Sequence, residues 1–499
     1  MCYIDQGQDP LLRGYKVKRG NSRKYSLLVD LTQDCLLFIA GVYIFVYIII
    51  ALYRIWYPFE IEWLEGAIVD HIRRICEGKS LYTKPSLDFI PFIYTPLYFY
   101  LSALLSKIVG IGLLAPRLIS FFSSLGCFAL IFLIVKRETN DKLSAFLSTG
   151  LFAATFKISG KWFDIARVDS LFLMLFLVCI YMSRHKSETS ILLAALFAGL
   201  SFLTKQTALF MSIAIALYYI FTHYRHFFVF TIILFLIVVG TTLIFNHLTN
   251  GWYSYYVFTL PSQHKFMYSM LIPFWKDEIF SHLPIACILS IFFFLIDNSN
   301  KNHQRLFYFL LSIGMLGSAC LSRLHSGSSK NSLMPAYVII SILFGLSIHK
   351  ILELSSKKII LYLICIAQFG ILLYNPFSQV PTQKDLKRAK EFIIKIKKIQ
   401  GDIWVPYHGY IPFLAEKKTY AHVAAIWDVL RSNTKPKVIL INEIKKSLKN
   451  GDFKAIILRD SIPDIIRPYI EDYYDKKQGL WPPVKGPFEY VYTRKLDTD

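Results

Sequence analysis

Residues Cys35–Gly66 read CLLFIAGVYIFVYIIIALYRIWYPFEIEWLEG. From Cys35 to Tyr53 no residue is charged, and a helix of that length crosses the hydrocarbon of a bilayer. Immediately beyond it, PFEIEWLEG (Pro58–Gly66) sets three carboxylates, Glu60, Glu62 and Glu65, beside the lipid. A membrane helix that empties into an acidic loop is the unit from which the rest of the chain is read.

The whole chain extends that pattern. Of its 499 residues 55% are hydrophobic and only 18% charged, against about 25% charged in soluble proteins. The mean hydropathy is +0.44. These values define a polytopic membrane protein. The net charge of +21 is explained by positive loops on the cytoplasmic side, so no nucleic-acid partner is expected. The polar, basic first thirty-odd residues carry no cleavage-site pattern, and the first apolar run reads as a retained signal anchor. The eight cysteines are scattered without a CxxC pair, which argues against a disulfide framework and against a zinc site.

Eleven apolar segments read as spans: 35–54, 117–135, 143–160, 168–183, 190–204, 206–221, 227–246, 280–296, 306–322, 333–349 and 358–374. The loops rich in Lys and Arg (VKRETNDK, SRHKSE, HYRH, DNSNKNHQR, SSKK) fall on one side, with the N-terminal tail 1–34. The first outer loop, 55–116, opens with IEWLEGAIVDHIRRICEG. Its apolar residues Ile61, Leu64, Ile68, Ile72 and Ile75 recur at helical spacing and predict an amphipathic helix on the membrane surface, ended by Gly78. The following FIPFIYTPLYFYLSALLSKIVG is expected to be interfacial or re-entrant. After Asn375 the composition becomes that of a small soluble α/β domain, 375–499, with KDLKRAKEFIIKIKKIQ and NEIKKSLKNG as helices and DIWVPY and FKAIIL as strands. An odd number of spans puts that domain on the outer side. The expected fold is an all-α membrane domain over 35–374 followed by this domain.

The polar residues with chemical potential gather in the outer loops. Glu60, Glu62 and Glu65 offer a general base for an acceptor hydroxyl or amine, or ligands for Mg²⁺ or Mn²⁺. The bland alternative is an acidic helix start. WFDIARVDS supplies Asp164, Arg167 and Asp169, with Arg167 spaced to pair with Asp164. LTKQTAL supplies Lys205 and Gln206. LSRLHSGSSKNSL supplies Arg323, His325, Lys330 and Asn331, cations and a Ser/Gly backbone suited to an anion. Arg117 adds one more cation, and His264 and Tyr94 lie in neighbouring loops. His408, His422 and Asp428 have no metal-ligand spacing and read as packed side chains. Carboxylates and phosphate-binding cations on one membrane face suit a lipid-linked phosphate donor and a polar acceptor.

EIEWLEG, Arg74-x-x-x-Gly78-x-x-Leu81-Tyr82, FIYTPLYFYLSAL, Arg117 with Ser120, Asp169 opening a span, and LTKQTAL together resemble the GT-C superfamily of integral-membrane glycosyltransferases. The resemblance covers roughly residues 35–220 and is strongest to the bacterial protein O-mannosyltransferases and the lipid A aminoarabinose transferases. It implies a polyprenyl-phosphate-sugar donor and inversion at the anomeric carbon. It implies an envelope lipid, glycan or protein acceptor, and a bacterial inner membrane location with the C-terminal domain periplasmic. It places the base on Glu62 or Glu65, with Glu60 third, and lipid-phosphate contacts on Lys205 and Arg117. The family often carries Asp at the acidic motif, whereas this chain has only Glu, so the base and any metal, with Glu62 and Asp169 as ligands, stay open. A flippase of lipid-linked sugars is the alternative, and a scaffolding role a third. Spans mostly free of charge argue for the enzyme.

Overall fold

The computed structural model describes residues 10–185, 187–295, 302–355, 357–458, 464–481 and 489–495. Residues 1–9 of the N-terminal tail, Lys186, the loop residues 296–301 and Ser356 lie outside them.

Each of the eleven apolar segments contains a helix. They fall in α1 (Pro10–Ile55), α4 (Leu114–Thr139), α5 (Lys142–Ala154), α6 (Asp169–Ser183), α7 (Glu188–Thr204), α8 (Ala208–Thr222), α9 (Tyr224–Thr249), α10 (Pro284–Leu295), α11 (Asn302–Leu324), α12 (Met334–Leu354) and α13 (Lys358–Ile371). Between the first two come α2 (Glu65–Cys76) and α3 (Leu97–Val109). Among the described residues, five helices are by length and composition long and apolar enough to cross a membrane: Tyr25–Ile55 of α1, α4, α9, α11 and the helix Lys330–Leu354 that contains α12. A sixth crossing exists only if Tyr268–Phe280 and α10, bent by 93°, count as one. The other six segments, α5 to α8, α10 and α13, form shorter helices of 12 to 17 residues, and some of the expected bounds overran them. Segment 143–160 shows the cause. Its helix stops at Ala154, and the chain turns through Gly160 and Lys161 at φ of +73° and +68°. Apolar composition continues beyond the helix, so hydropathy alone overran its end.

Capping residues set several of the starts. Asp141 accepts the amides of Leu143 and Ser144 at 2.9 and 3.2 Å to begin α5. Ser187 does the same for α7 through the Ser190 amide. Within the bundle α12 is buried nearly throughout, with α5, α10 and α11 packed on it. Gly345 of α12 approaches Ser148 of α5, and Gly150 approaches Ala40 of α1; a Cβ at either would collide, so small residues set these crossings. By contrast α9 exposes Phe228, Phe235, Leu243 and Leu248, an apolar face suited to lipid.

The loops sort to two ends as their charges predicted. At one end Arg184 pairs with Glu138 at 2.6 Å, and Gln304 donates to the same carboxylate at 2.8 Å. Three of the Lys/Arg-rich loops therefore meet. At the other end lie the acidic loop and the C-terminal part. That part carries a four-stranded sheet in the order β1 (Ile403–Trp404), β2 (Ala455–Leu458), β4 (Glu489–Arg494), β3 (Tyr474–Trp481). The β1–β2 pair is parallel and the rest antiparallel. Alternate residues face opposite ways. Ile403, Ala455 and Ile457 meet Phe392 and Ile396 of α14 (Gln383–Lys398). Trp404, Ile456 and Leu458 share a core with a second helical layer.

Neither core is confined to the C-terminal part. Phe59 belongs to the first, and Ala67, Ile68 and Ile72 of α2 belong to the second. The predicted surface helix α2 is therefore covered. Arg73, on its polar side, donates to Asp70 at 3.1 Å and to Thr419 at 2.5 Å. The C-terminal part supplies the cover that lipid and water were expected to give.

Candidate functional site

The three glutamates have three different environments. Glu65, the first residue of α2, is fully buried and grips Arg117 of α4 with both oxygens, at 2.8 and 2.7 Å. It also accepts the amides of Ile61 and Ala166 at 2.7 and 2.9 Å. Burial pushes its carboxyl up, but the Arg117 guanidinium and these donors outweigh that, and it rests below the usual range. Arg117 spends its remaining donors on the carbonyls of Arg54, Tyr57 and Phe59. The pair fastens the acidic loop to the end of α1. Arg117 therefore has no donor left for a lipid phosphate, and the expectation that it makes such a contact is corrected.

Glu60 faces the C-terminal part. It accepts from the Tyr410 amide at 2.9 Å and is bonded to His408 Nδ1. His408, expected to be a packed core residue, is instead one half of this buried link. Glu62 is different again. It is half-buried, accepts only the nearby Leu64 amide at 3.0 Å, and has no ion pair among the described residues. Burial pushes its pKa up to about 7, against the lowering influence of Arg167.

Arg167 does not pair with Asp164 as the spacing suggested. Asp164 is taken by Arg54 from the last turn of α1, at 2.9 Å. Arg167 instead stacks over Trp162, 4.6 Å from the ring centre, and donates to the Tyr94 hydroxyl at 2.8 Å. It is only 3% exposed, yet its Nε and Nη1 find no hydrogen-bond partner among the described residues. Beside it Asp169 opens α6 and holds two side chains from distant loops, Lys205 Nζ at 2.7 Å and Asn331 Nδ2 at 2.9 Å. Gln206 donates to the Ile93 carbonyl at 2.8 Å, while its Oε1 has no partner among the described residues. Buried polar atoms are normally satisfied, so this concentration of unused donors and acceptors marks a place for a ligand.

The place is a cavity of about 370 Å³, lined from several loops by Trp63, Tyr94, Trp162, Arg167, Lys205, Gln206 and Asn331. Its far wall includes His264 and His325, both expected, and Trp427, Asp428 and Arg431 of the C-terminal part, which were not assigned to the site. These three lie on or just beyond α15 (Val423–Leu430). Aromatic and charged residues at helical spacing were the available signal. Of the expected residues, Glu60, Glu62, Glu65, Arg117, Asp164, Asp169, Arg323 and Lys330 do not line it. Arg323 is engaged by Glu278 at 2.8 Å, and Lys330 is exposed beside Gly160.

Among the described residues no group of three or more His, Cys, Asp or Glu side chains is placed to hold a metal. Asp169 is already neutralised by Lys205. The residues present do not make the Mg²⁺ or Mn²⁺ site that Glu62 and Asp169 suggested, and no step below depends on one.

Residues 93–252, which supply Tyr94, Arg167, Asp169, Lys205 and Gln206, match the family model described as dolichyl-phosphate-mannose-protein mannosyltransferase. This match, over 160 of the 499 residues, bears out the resemblance to integral-membrane glycosyltransferases read from the sequence. Among solved structures it is similar to ArnT from Cupriavidus metallidurans. In the apo state the TM-score is 0.60 at 11% identity, over 92% of this chain and 97% of that one. For ArnT bound to undecaprenyl phosphate the values are 0.62, 11%, 93% and 98%. No curated protein matches the chain.

Proposed function

We propose that the chain transfers a sugar from a polyprenyl-phosphate donor to an acceptor of the bacterial cell envelope, on the periplasmic side of the inner membrane. The observation that carries this is Arg167, a buried cation with two unused donors on the cavity wall. A phosphate satisfies both at once, and Lys205 beside it adds charge. Undecaprenyl phosphate bound to the similar ArnT supports this donor class.

In the reaction the acceptor oxygen attacks the anomeric carbon from the face opposite the phosphate, which inverts the configuration. The bond from that carbon to the phosphate oxygen breaks, and polyprenyl phosphate leaves with the electron pair. Arg167 and Lys205 stabilise the charge that builds on it. Glu62 takes the acceptor proton. It is the carboxylate not committed to a structural bond with another element, and a pKa near 7 suits a base at neutral pH. Glu65 holds the loop that presents Glu62, and Glu60 fixes the same loop to the C-terminal part.

The test is label transfer from a panel of undecaprenyl-phosphate-linked sugars into envelope extract by the protein in proteoliposomes, with donor flipping followed in the same vesicles. Covalent transfer supports the proposal. Flipping without transfer would make the protein a transporter.

A further inference from the structure

The C-terminal wall of the cavity has its own chemistry. Asp428 lines it with Trp427 on one side and His264 opposite. His264 Nε2 lies 3.2 Å from the Asp428 carbonyl and 3.8 Å from its carboxylate. Arg431 is 3.7 Å from that carboxylate, and its guanidinium occupies the space a Cβ on Gly327 would need. The helix is thus pinned to two loops of the membrane part, 260–267 and 322–329. Trp427 meets Trp63 edge to face at 6.1 Å, and Trp63 adjoins Glu62. Neither contact of the Asp428 carboxylate is as short as a hydrogen bond.

The cations that suit a phosphate, Arg167 and Lys205, come from the membrane part. The carboxylate and the Trp427 indole come from α15. A carboxylate beside an indole matches a sugar ring, whose hydroxyls donate to the oxygens while its C–H face lies on the aromatic plane. We infer that α15 forms the acceptor subsite and that its occupant is a saccharide, with Asp428 accepting from an acceptor hydroxyl and Trp427 covering the ring. This rests on the glycosyltransferase reading and narrows its acceptor from lipid, glycan or protein to a sugar hydroxyl, free or carried on a lipid. Burial pushes Asp428 up to about 7, and hydroxyl donors would favour its ionised form.

The test uses the full-length protein in proteoliposomes, wild type, Asp428→Asn, Asp428→Glu and Trp427→Phe. Label transfer is measured against rising amounts of three acceptor pools: water-soluble glycan, glycolipid, and delipidated protein. Stabilisation by undecaprenyl phosphate is measured on each protein as a separate reading of fold and donor site. The expected result is transfer into a glycan or glycolipid pool. Asp428→Asn should raise the acceptor KM about tenfold or more, the effect of one lost hydrogen bond to a charged group. Asp428→Glu should recover part of it, and stabilisation by undecaprenyl phosphate should persist. Wild-type transfer into protein alone would overturn the inference, as would an unchanged acceptor KM in Asp428→Asn. Loss of the undecaprenyl phosphate response in Asp428→Asn and Trp427→Phe alike would also overturn it, by making α15 part of the donor site or of the fold. Absence of wild-type transfer from every donor would instead remove the glycosyltransferase reading and this inference with it.

Discussion

Glu62 and Glu65 stand three residues apart and call for opposite outcomes. Glu65→Gln breaks a fully buried ion pair with Arg117, and such losses cost about 3–5 kcal/mol. The expected result is a large fall in thermal stability, with little folded protein recovered. Glu62→Gln removes a charge that burial disfavours, so the protein should stay folded or gain slightly while transfer falls. Thermal denaturation of both variants checks this, and an unfolded Glu62→Gln beside an intact Glu65→Gln would reverse the assignments. The pH dependence has a definite sign. Outside the membrane helices, burial raises Glu62 from 4.5 to about 7, Asp70 from 3.8 to about 8 and Asp428 from 3.8 to about 7. Between those limits the folded chain holds protons that the unfolded chain has released. These groups therefore make stability fall as pH rises from about 4 to about 8. Melting temperatures across that range should show the decline, with a shallower slope in Glu62→Gln. Transfer should rise through about pH 7 as the base ionises. The sequence brought Glu62 and Glu65 forward together and had no means of separating them. The difference is which carboxylate meets an arginine 52 residues away, a tertiary fact.

At the scale of elements, the first turn of α2 is held against the C-terminal part by backbone proximity. A Cβ on Gly66 would lie 1.9 Å from Glu60 Oε1 and 2.6 Å from the Tyr410 amide nitrogen. Gly66→Ala should therefore separate the two segments, lowering both the melting temperature and transfer. Gly78 gives the comparison: its φ is +72° but a Cβ there meets nothing, so Gly78→Ala should cost only about 1 kcal/mol of backbone strain. Equal effects from both would show that the contact at Gly66 is unimportant. The elements were largely legible beforehand, because apolar runs and Gly stops report local structure. Bounds were legible for α6 to α8, expected at 168–183, 190–204 and 206–221 and found within two residues of those ends, but not for α5, whose apolar segment runs on into a turn. The convergence of Asp169, Lys205 and Asn331 was legible in outline, since each opens or closes a helix at the same end of the bundle. The pairing of Asp164 with Arg54 was not, because local spacing offered Arg167 as a nearer partner.

In the whole molecule the membrane part and the C-terminal part share two hydrophobic cores and one cavity. Composition shifts after Asn375, which made the tail look separate, yet its packing surface is the acidic loop itself. A chain ending at 374 should accordingly lose protection of residues 56–116 against limited proteolysis, and unchanged protection would show that the loop folds unaided. The arrangement explains why three glutamates stand at the mouth of the first membrane helix. One holds the loop down to α4, one binds it to the C-terminal part, and the one between them is the proposed base. The most direct measurement is label transfer from undecaprenyl-phosphate-linked sugars into envelope extract by wild type and by folded Glu62→Gln. The account predicts transfer by the wild type and a fall of about 10²–10⁴-fold in the variant, the scale of general-base catalysis. Equal transfer by the two proteins would contradict it.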